Sequence, residues 1–255
     1  MIALIDYGAG NLSSVRKALA AIGASVWTPT VAGEIGRAHG IVVPGVGHFN
    51  TTRSLCDDWR KAIQTMADDG VPLLGICVGL QWLFEGSEEA KEVTGLGSFP
   101  GRCFLLGSSP SLRLRQGFHL RATRYGGQAG GQAKTQDPGP KPQGPSPKSQ
   151  APSPLKVPHV GWNSLVMPRP SRLMAGVKDG TQVYFTHSYA APVVADTAAI
   201  CEYGVPFSAA VERDNVSAVQ FHPEKSGDAG LRILSNWLKQ TESLSRRSSS
   251  EGQRA

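Results

Sequence analysis

The chain has 255 residues, of which 40% are hydrophobic and 18% charged. That is enough for one sizeable α/β domain with its own core, and too apolar for a chain that stays disordered. The formal charge of +6 invites a nucleic-acid reading, but its placement argues against one. Seven Lys and Arg stand against Asp137 within residues 107–154, and the polar stretch 241–255 adds a small basic excess. The rest of the chain is then close to neutral, so neither a nucleic-acid nor a membrane partner is expected. No apolar run approaches the length needed to cross a bilayer, and residues 1–6 lack the features of a signal peptide. Cys56, Cys77, Cys103 and Cys201 show no close-paired spacing. This excludes a disulfide framework or a zinc site and points to a reducing, cytoplasmic setting without a metal.

In chain order, residues 2–6 form a short apolar run that ends in the turn Tyr7-Gly8-Ala9-Gly10-Asn11. Val15, Leu19 and Ile22 follow at helical spacing. Residues 40–43 predict a second buried strand, stopped by Pro44-Gly45, and Trp59, Ile63 and Met66 predict a helix. Residues 71–76 are a further apolar run, with Leu80, Leu83 and Phe84 at helical spacing behind it. Alternation of this kind predicts an α/β fold, a mainly parallel central sheet flanked by helices. Residues 107–154 break the pattern with Gly, Pro, Gln, Ser and Lys. They are expected to be a disordered insertion within a single domain spanning 1–240. Strands are predicted at 182–185 and 217–221, a closing helix at 228–239, and a frayed polar tail over 241–255.

The strongest local signal is Gly75-Ile76-Cys77-Val78-Gly79, between an apolar strand and a helix. A nucleophile on such a turn projects from the sheet edge, and the flanking glycines clear the space a tight elbow needs. The N-terminus of the following helix favours the attacking thiolate. The alternative is a buried structural cysteine. His222-Pro223-Glu224 supplies a base and an orienting carboxylate two residues apart, which on extended chain point the same way. Alone it reads better as a surface turn. Pro44-Gly45-Val46-Gly47, at the end of a buried strand, offers backbone N–H groups to an oxyanion, or is a plain strand-to-loop turn. Gly8-Ala9-Gly10 lacks the third glycine of a dinucleotide fingerprint, Ser13 standing in its place, so no cofactor is expected.

Taken together, the elbow with Gln81 and the His222-Pro223-Glu224 sequence resemble the class I, triad-type glutamine amidotransferases, with their flavodoxin-like layered fold. Asp6-Tyr7-Gly8-Ala9-Gly10-Asn11-Leu12, Pro44-Gly45-Val46-Gly47, Val157-Pro158-His159-Val160-Gly161-Trp162-Asn163, Tyr184-Phe185-Thr186-His187-Ser188-Tyr189 and Gln220-Phe221-His222-Pro223-Glu224-Lys225-Ser226 are similar to the glutaminase subunits of imidazole glycerol phosphate synthases. The resemblance covers residues 1–106 and 155–240. It implies that Cys77 attacks the glutamine amide, that His222 is its acid and base, and that Glu224 orients His222. It further implies an oxyanion hole from the backbone of Gly45, Val46, Gly47 and Val78, and substrate contacts from Gln81, Glu89, Ser188 and Tyr189. Asn11, Trp162 and Asn163 are implied at the interface with a (β/α)8-barrel cyclase subunit, which uses the ammonia in histidine biosynthesis to form imidazole glycerol phosphate and an aminoimidazole carboxamide ribonucleotide. The free subunit is expected to be almost inactive. Amidotransferases serving other synthases, a self-standing thiol hydrolase and a catalytically silent interaction module are the competing readings. The insertion has no counterpart in the resemblance.

Overall fold

The computed structural model describes residues 1–107 and 155–251, and the expected disorder of 107–154 falls outside them apart from its first residue. The described residues of 1–107 and 156–251 belong to one compact unit. Its centre is a seven-stranded sheet with strand order β11-β12-β13-β4-β3-β1-β2. The strands are β1 (Ile2–Leu4), β2 (Val26–Trp27), β3 (Gly40–Val43), β4 (Leu73–Ile76), β11 (Thr197–Tyr203), β12 (Val205–Arg213) and β13 (Val216–Val219). From β2 to β13 every neighbour is parallel, and β12 and β11 add an antiparallel edge. Every residue of β1, β3 and β4 is buried, as strands covered on both faces require.

The helices α1 (Leu12–Ala21), α2 (Asp58–Asp68), α3 (Val78–Leu83) and α4 (Gly227–Glu251) cover this sheet. The Asn11 side chain caps α1 by accepting from Ser14 N–H at 3.3 Å. Helix α4 lies against β1 and β3 so closely that a Cβ on Gly40 would meet Thr241, Ile2 and Trp237. That contact also corrects one expectation. The closing helix does not end near residue 239 but runs to Glu251, and Thr241, placed in the tail by composition, is buried with its hydroxyl on the Leu238 carbonyl at 2.7 Å.

Two smaller sheets complete the unit. The first has the order β10-β7-β5-β6, made of β5 (Gly86–Ser87), β6 (Ala90–Thr94), β7 (Arg102–Leu105) and β10 (Tyr189–Ala190). The second pairs β8 (His159–Ser164) with β9 (Gln182–His187), bringing His159 opposite His187 and Trp162 opposite Tyr184. No helix among the described residues is long and apolar enough to cross a membrane.

Candidate active site

The register of the parallel strands assembles the site. Val43 lies beside Gly75 in β3 and β4, and Val219 beside Ile76 in β13 and β4. The loops leaving the three carboxyl ends therefore carry Gly45, Cys77 and His222 to one crevice, where open α/β sheets bind their ligands. Cys77 sits between β4 and α3 at φ 56, ψ −106, a strained region for a residue with a Cβ. Its N–H donates to the Val219 carbonyl at 2.8 Å, which holds the elbow in place.

The glycines around Cys77 are steric necessities. A Cβ on Gly75 would lie 2.7 Å from the Gly79 carbonyl oxygen, and one on Gly79 would overlap the Val43 carbonyl. Gly79→Ala is thus expected to push α3 off β3, with a loss of about 3 kcal/mol or more in urea denaturation. A variant as stable as the parent would show that the elbow tolerates a wider spacing.

His222 Nδ1 and Glu224 Oε1 are 2.8 Å apart, with side chains 2% and 3% exposed. The carboxylate fixes the proton on Nδ1 and leaves Nε2 free towards Cys77. The reason for their closeness differs from the one read off the sequence. Strand β13 ends at Val219, and Pro223–Lys225 is a 3-10 turn with His222 at its cap, so a tight turn and not strand alternation folds the carboxylate back. His222 N–H donates to the Tyr184 carbonyl at 2.9 Å, and Ser226 Oγ donates to the His222 carbonyl at 2.7 Å.

Burial opposes a charge on His222. The nearby Cys77 sulphur and the Glu224 carboxylate hydrogen-bonded to the ring outweigh it, and the pKa rises from 6.5 to about 9. Nε2 makes no fully formed hydrogen bond in this geometry, yet it already feels the sulphur. A pKa raised on folding contributes stability fully below about 6.5 and loses it as pH rises through about 9. Wild-type protein should lose stability across that window, at most on the order of 3 kcal/mol. Glu224→Gln should flatten the loss, as read by urea denaturation at several pH values; equal pH slopes for the two proteins would contradict this origin.

A cavity of about 310 Å³ opens at the sulphur, lined by residues including Gly47, Gln81, Glu89, Thr186, Ser188 and Tyr189. That size suits a small metabolite. Gln81 Nε2 donates to the Tyr189 carbonyl at 3.0 Å, while its buried Oε1 has no partner. Glu89 Oε2 accepts from Phe49 N–H at 2.7 Å. Glu89 lies outside the elbow helix. Helix α3 stops at Leu83, and Glu89 lies in the turn between β5 and β6. The chain doubles back there and brings the carboxylate to the cavity. A larger open groove of about 800 Å³, around Thr30, Cys56 and Trp59, contains none of these groups.

Gln220 was missed in the sequence. Fully buried, it donates from Nε2 to Cys77 Sγ at 3.7 Å and accepts at Oε1 from Gln81 Nε2 at 3.4 Å. Its signal was the register, since position 220 emerges beside Cys77. A buried pair behind the cavity, His159 Nδ1 to His187 Nε2 at 3.0 Å, continues to the Tyr189 carbonyl through His187 Nδ1 at 2.9 Å. Burial holds both rings neutral, with pKa values near 4 and 3. The carbonyl accepts, so His187 Nδ1 carries a proton and its Nε2 accepts from His159.

The amides expected at an oxyanion hole do not converge on one point. Val78 N–H donates to the Gly45 carbonyl at 3.3 Å and is therefore engaged, while Val46 is half-buried and Gly47, at φ 99, is exposed. Asn11 is exposed at the start of α1. Trp162 is 54% exposed on β8 with Val160 at 56% beside it. Asn163 is instead tied back, donating to the Glu202 carbonyl at 3.0 Å.

The glutamine amidotransferase class-I family matches residues 3–241. The chain belongs to this family. A relative named "Imidazole glycerol phosphate synthase subunit HisH", from Moorella thermoacetica, is 38% identical and aligns over 92% of this chain and 93% of its own. Proteins of the same name from Thermococcus kodakarensis and Deinococcus radiodurans are 39% and 36% identical, over 94% of this chain and 100% and 93% of theirs. Among solved structures, a glutamine amidotransferase aligns with TM-score 0.61 at 13% identity, covering 95% of this chain and 100% of that one. PurLQS from Thermotoga maritima aligns with TM-score 0.60 at 13% identity, covering 93% and 97%. At those identities the likeness is one of fold, and it is the fold expected from the alternation of strands and helices.

Proposed function

We propose that this chain is the glutaminase subunit of an imidazole glycerol phosphate synthase, hydrolysing glutamine and passing ammonia to a cyclase subunit. The observation that carries the chemistry is the strained Cys77 elbow beside a buried, carboxylate-held His222. The HisH relatives carry the pathway.

In this reading Cys77 Sγ attacks the side-chain amide carbon of glutamine. His222 Nε2 delivers the proton that lets ammonia leave, and a thioester on Cys77 remains. Water, relieved of a proton by His222, then attacks the thioester, and glutamate and the thiol are released. Glu224 keeps Nε2 aimed at the sulphur throughout. The unpartnered Gln81 Oε1 suits the α-ammonium of glutamine, with Glu89 and the backbone of Ser188 and Tyr189 completing that end. A donor set from residues 45–47 and Val78 forms the oxyanion hole. Its unassembled state supports a subunit that stays idle until a partner binds.

Exposed Trp162 and Val160, with Asn11, suit a partner surface, here assigned to the (β/α)8-barrel cyclase. Asn163 belongs to that strand as a support behind it. Four unpaired cysteines support a reducing, cytoplasmic setting.

The test is the route of nitrogen. With the cyclase subunit and its nucleotide substrate, amide-labelled glutamine should place its label in the imidazole product despite excess unlabelled ammonium. Dilution of the label to the level of free ammonium would rule out channelling and the partner assignment.

A further inference from the structure

One buried group beside the oxyanion loop has no use in the resting geometry. Tyr7 follows β1, its residue is 7% exposed, and its hydroxyl has no hydrogen-bond partner. Burial, and after it the charge of Cys77, raise its pKa, so the phenol stays protonated and keeps a proton to donate. The hydroxyl lies on Gly45. A Cβ placed there would overlap it and would approach Val78 Cβ at 2.9 Å. Across the same loop, a Cβ on Gly10 would stand 3.6 Å from Val46 N, so the turn after β1 and the loop after β3 are packed together.

The Gly45 carbonyl is buried and accepts from Val78 N–H. If that amide is to point at an oxyanion it must leave the carbonyl, which would then be buried without a donor, a costly state. A replacement donor removes that cost, and Tyr7 Oη is a free, buried donor against the same residue.

We propose that the Tyr7 hydroxyl takes over the Gly45 carbonyl when the Val78 amide turns to the oxyanion, which makes Tyr7 a positioning residue for the glutaminase step. The assignment rests on the glutaminase reading above. The unpartnered phenol is thus a feature of the resting state, and its bond is made in the active one. Removing it penalises the active state and spares the resting state.

The experiment is Tyr7→Phe in the full chain, assayed in complex with the cyclase subunit and its nucleotide ligand. Expected is a fall in kcat for glutamate release of about tenfold, the value of one hydrogen bond. The KM for glutamine, the ammonia-driven rate of the complex and complex formation should be unchanged. The melting temperature of the free chain should be unchanged or raised, since the variant loses an unpaired buried hydroxyl. A wild-type kcat would overturn the assignment. So would a kcat loss accompanied by a lower melting temperature, which would make Tyr7 a packing residue. If the wild-type complex itself releases no Cys77-dependent glutamate, the glutaminase reading fails and this assignment with it; intact wild-type release beside an unaltered variant removes this assignment alone.

Discussion

Cys77→Ala is expected to abolish glutamine-dependent turnover of the complex, lowering kcat by about 10⁴-fold or more. The same complex supplied with ammonium should keep its synthetic rate, because the sulphur takes no part in the partner's chemistry. The size of the loss follows from the elbow. The strained φ of 56 at Cys77 and its N–H bond to Val219 place this one atom at the mouth of the cavity. Gln220, which donates to the sulphur, carries an amide that cannot replace a nucleophile. Glutamate release by steady-state assay checks this. Residual turnover within tenfold of wild type would remove the thioester from the mechanism.

His222→Asn is expected to lower kcat by about 10³-fold, measured in the same assay. In the proposed mechanism two proton transfers depend on Nε2, one to the departing ammonia and one from the attacking water, and Asn offers no titrating group for either. Because Cys77 and His222 act as one unit, the double variant should be no slower than Cys77→Ala alone. Additive losses would mean that the two side chains serve separate steps. Glu224→Gln should cost less, since it loosens the aim of His222 without removing it.

How far the sequence anticipates this arrangement depends on which physical signal each element leaves. The parallel core was legible because β3 and β4 are short apolar runs bounded by glycine and proline, with helical spacing behind them. The hairpin of β11 and β12 was not legible. Every residue of β12 from Phe207 to Glu212 is buried, so the strand has no alternation to read, and Pro206 argues against a strand at all. The sheet containing β5, β6 and β7 was hidden by strands of two to five residues and by the turn that carries Glu89. Cys77, His222 and Glu224 were legible through local sequence, since a glycine-flanked nucleophile and a His-Pro-Glu turn leave marks in the chain itself. Gln220 left none, because what makes it matter is its alignment with the end of a strand 140-odd residues earlier. The engagement of Val78 N–H with Gly45 is a matter of peptide orientation, which no residue pattern encodes.

That engaged amide leads to the most direct measurement, glutamate release by the chain alone and by the chain with the cyclase subunit and its nucleotide ligand. In the proposed mechanism the resting geometry withholds an oxyanion donor, so the partner and its ligand should raise the rate about a hundredfold, as a coupling free energy between two sites. Equal rates with and without the partner would show that the oxyanion donors assemble unaided, and would make the protein a self-sufficient thiol hydrolase of the same fold.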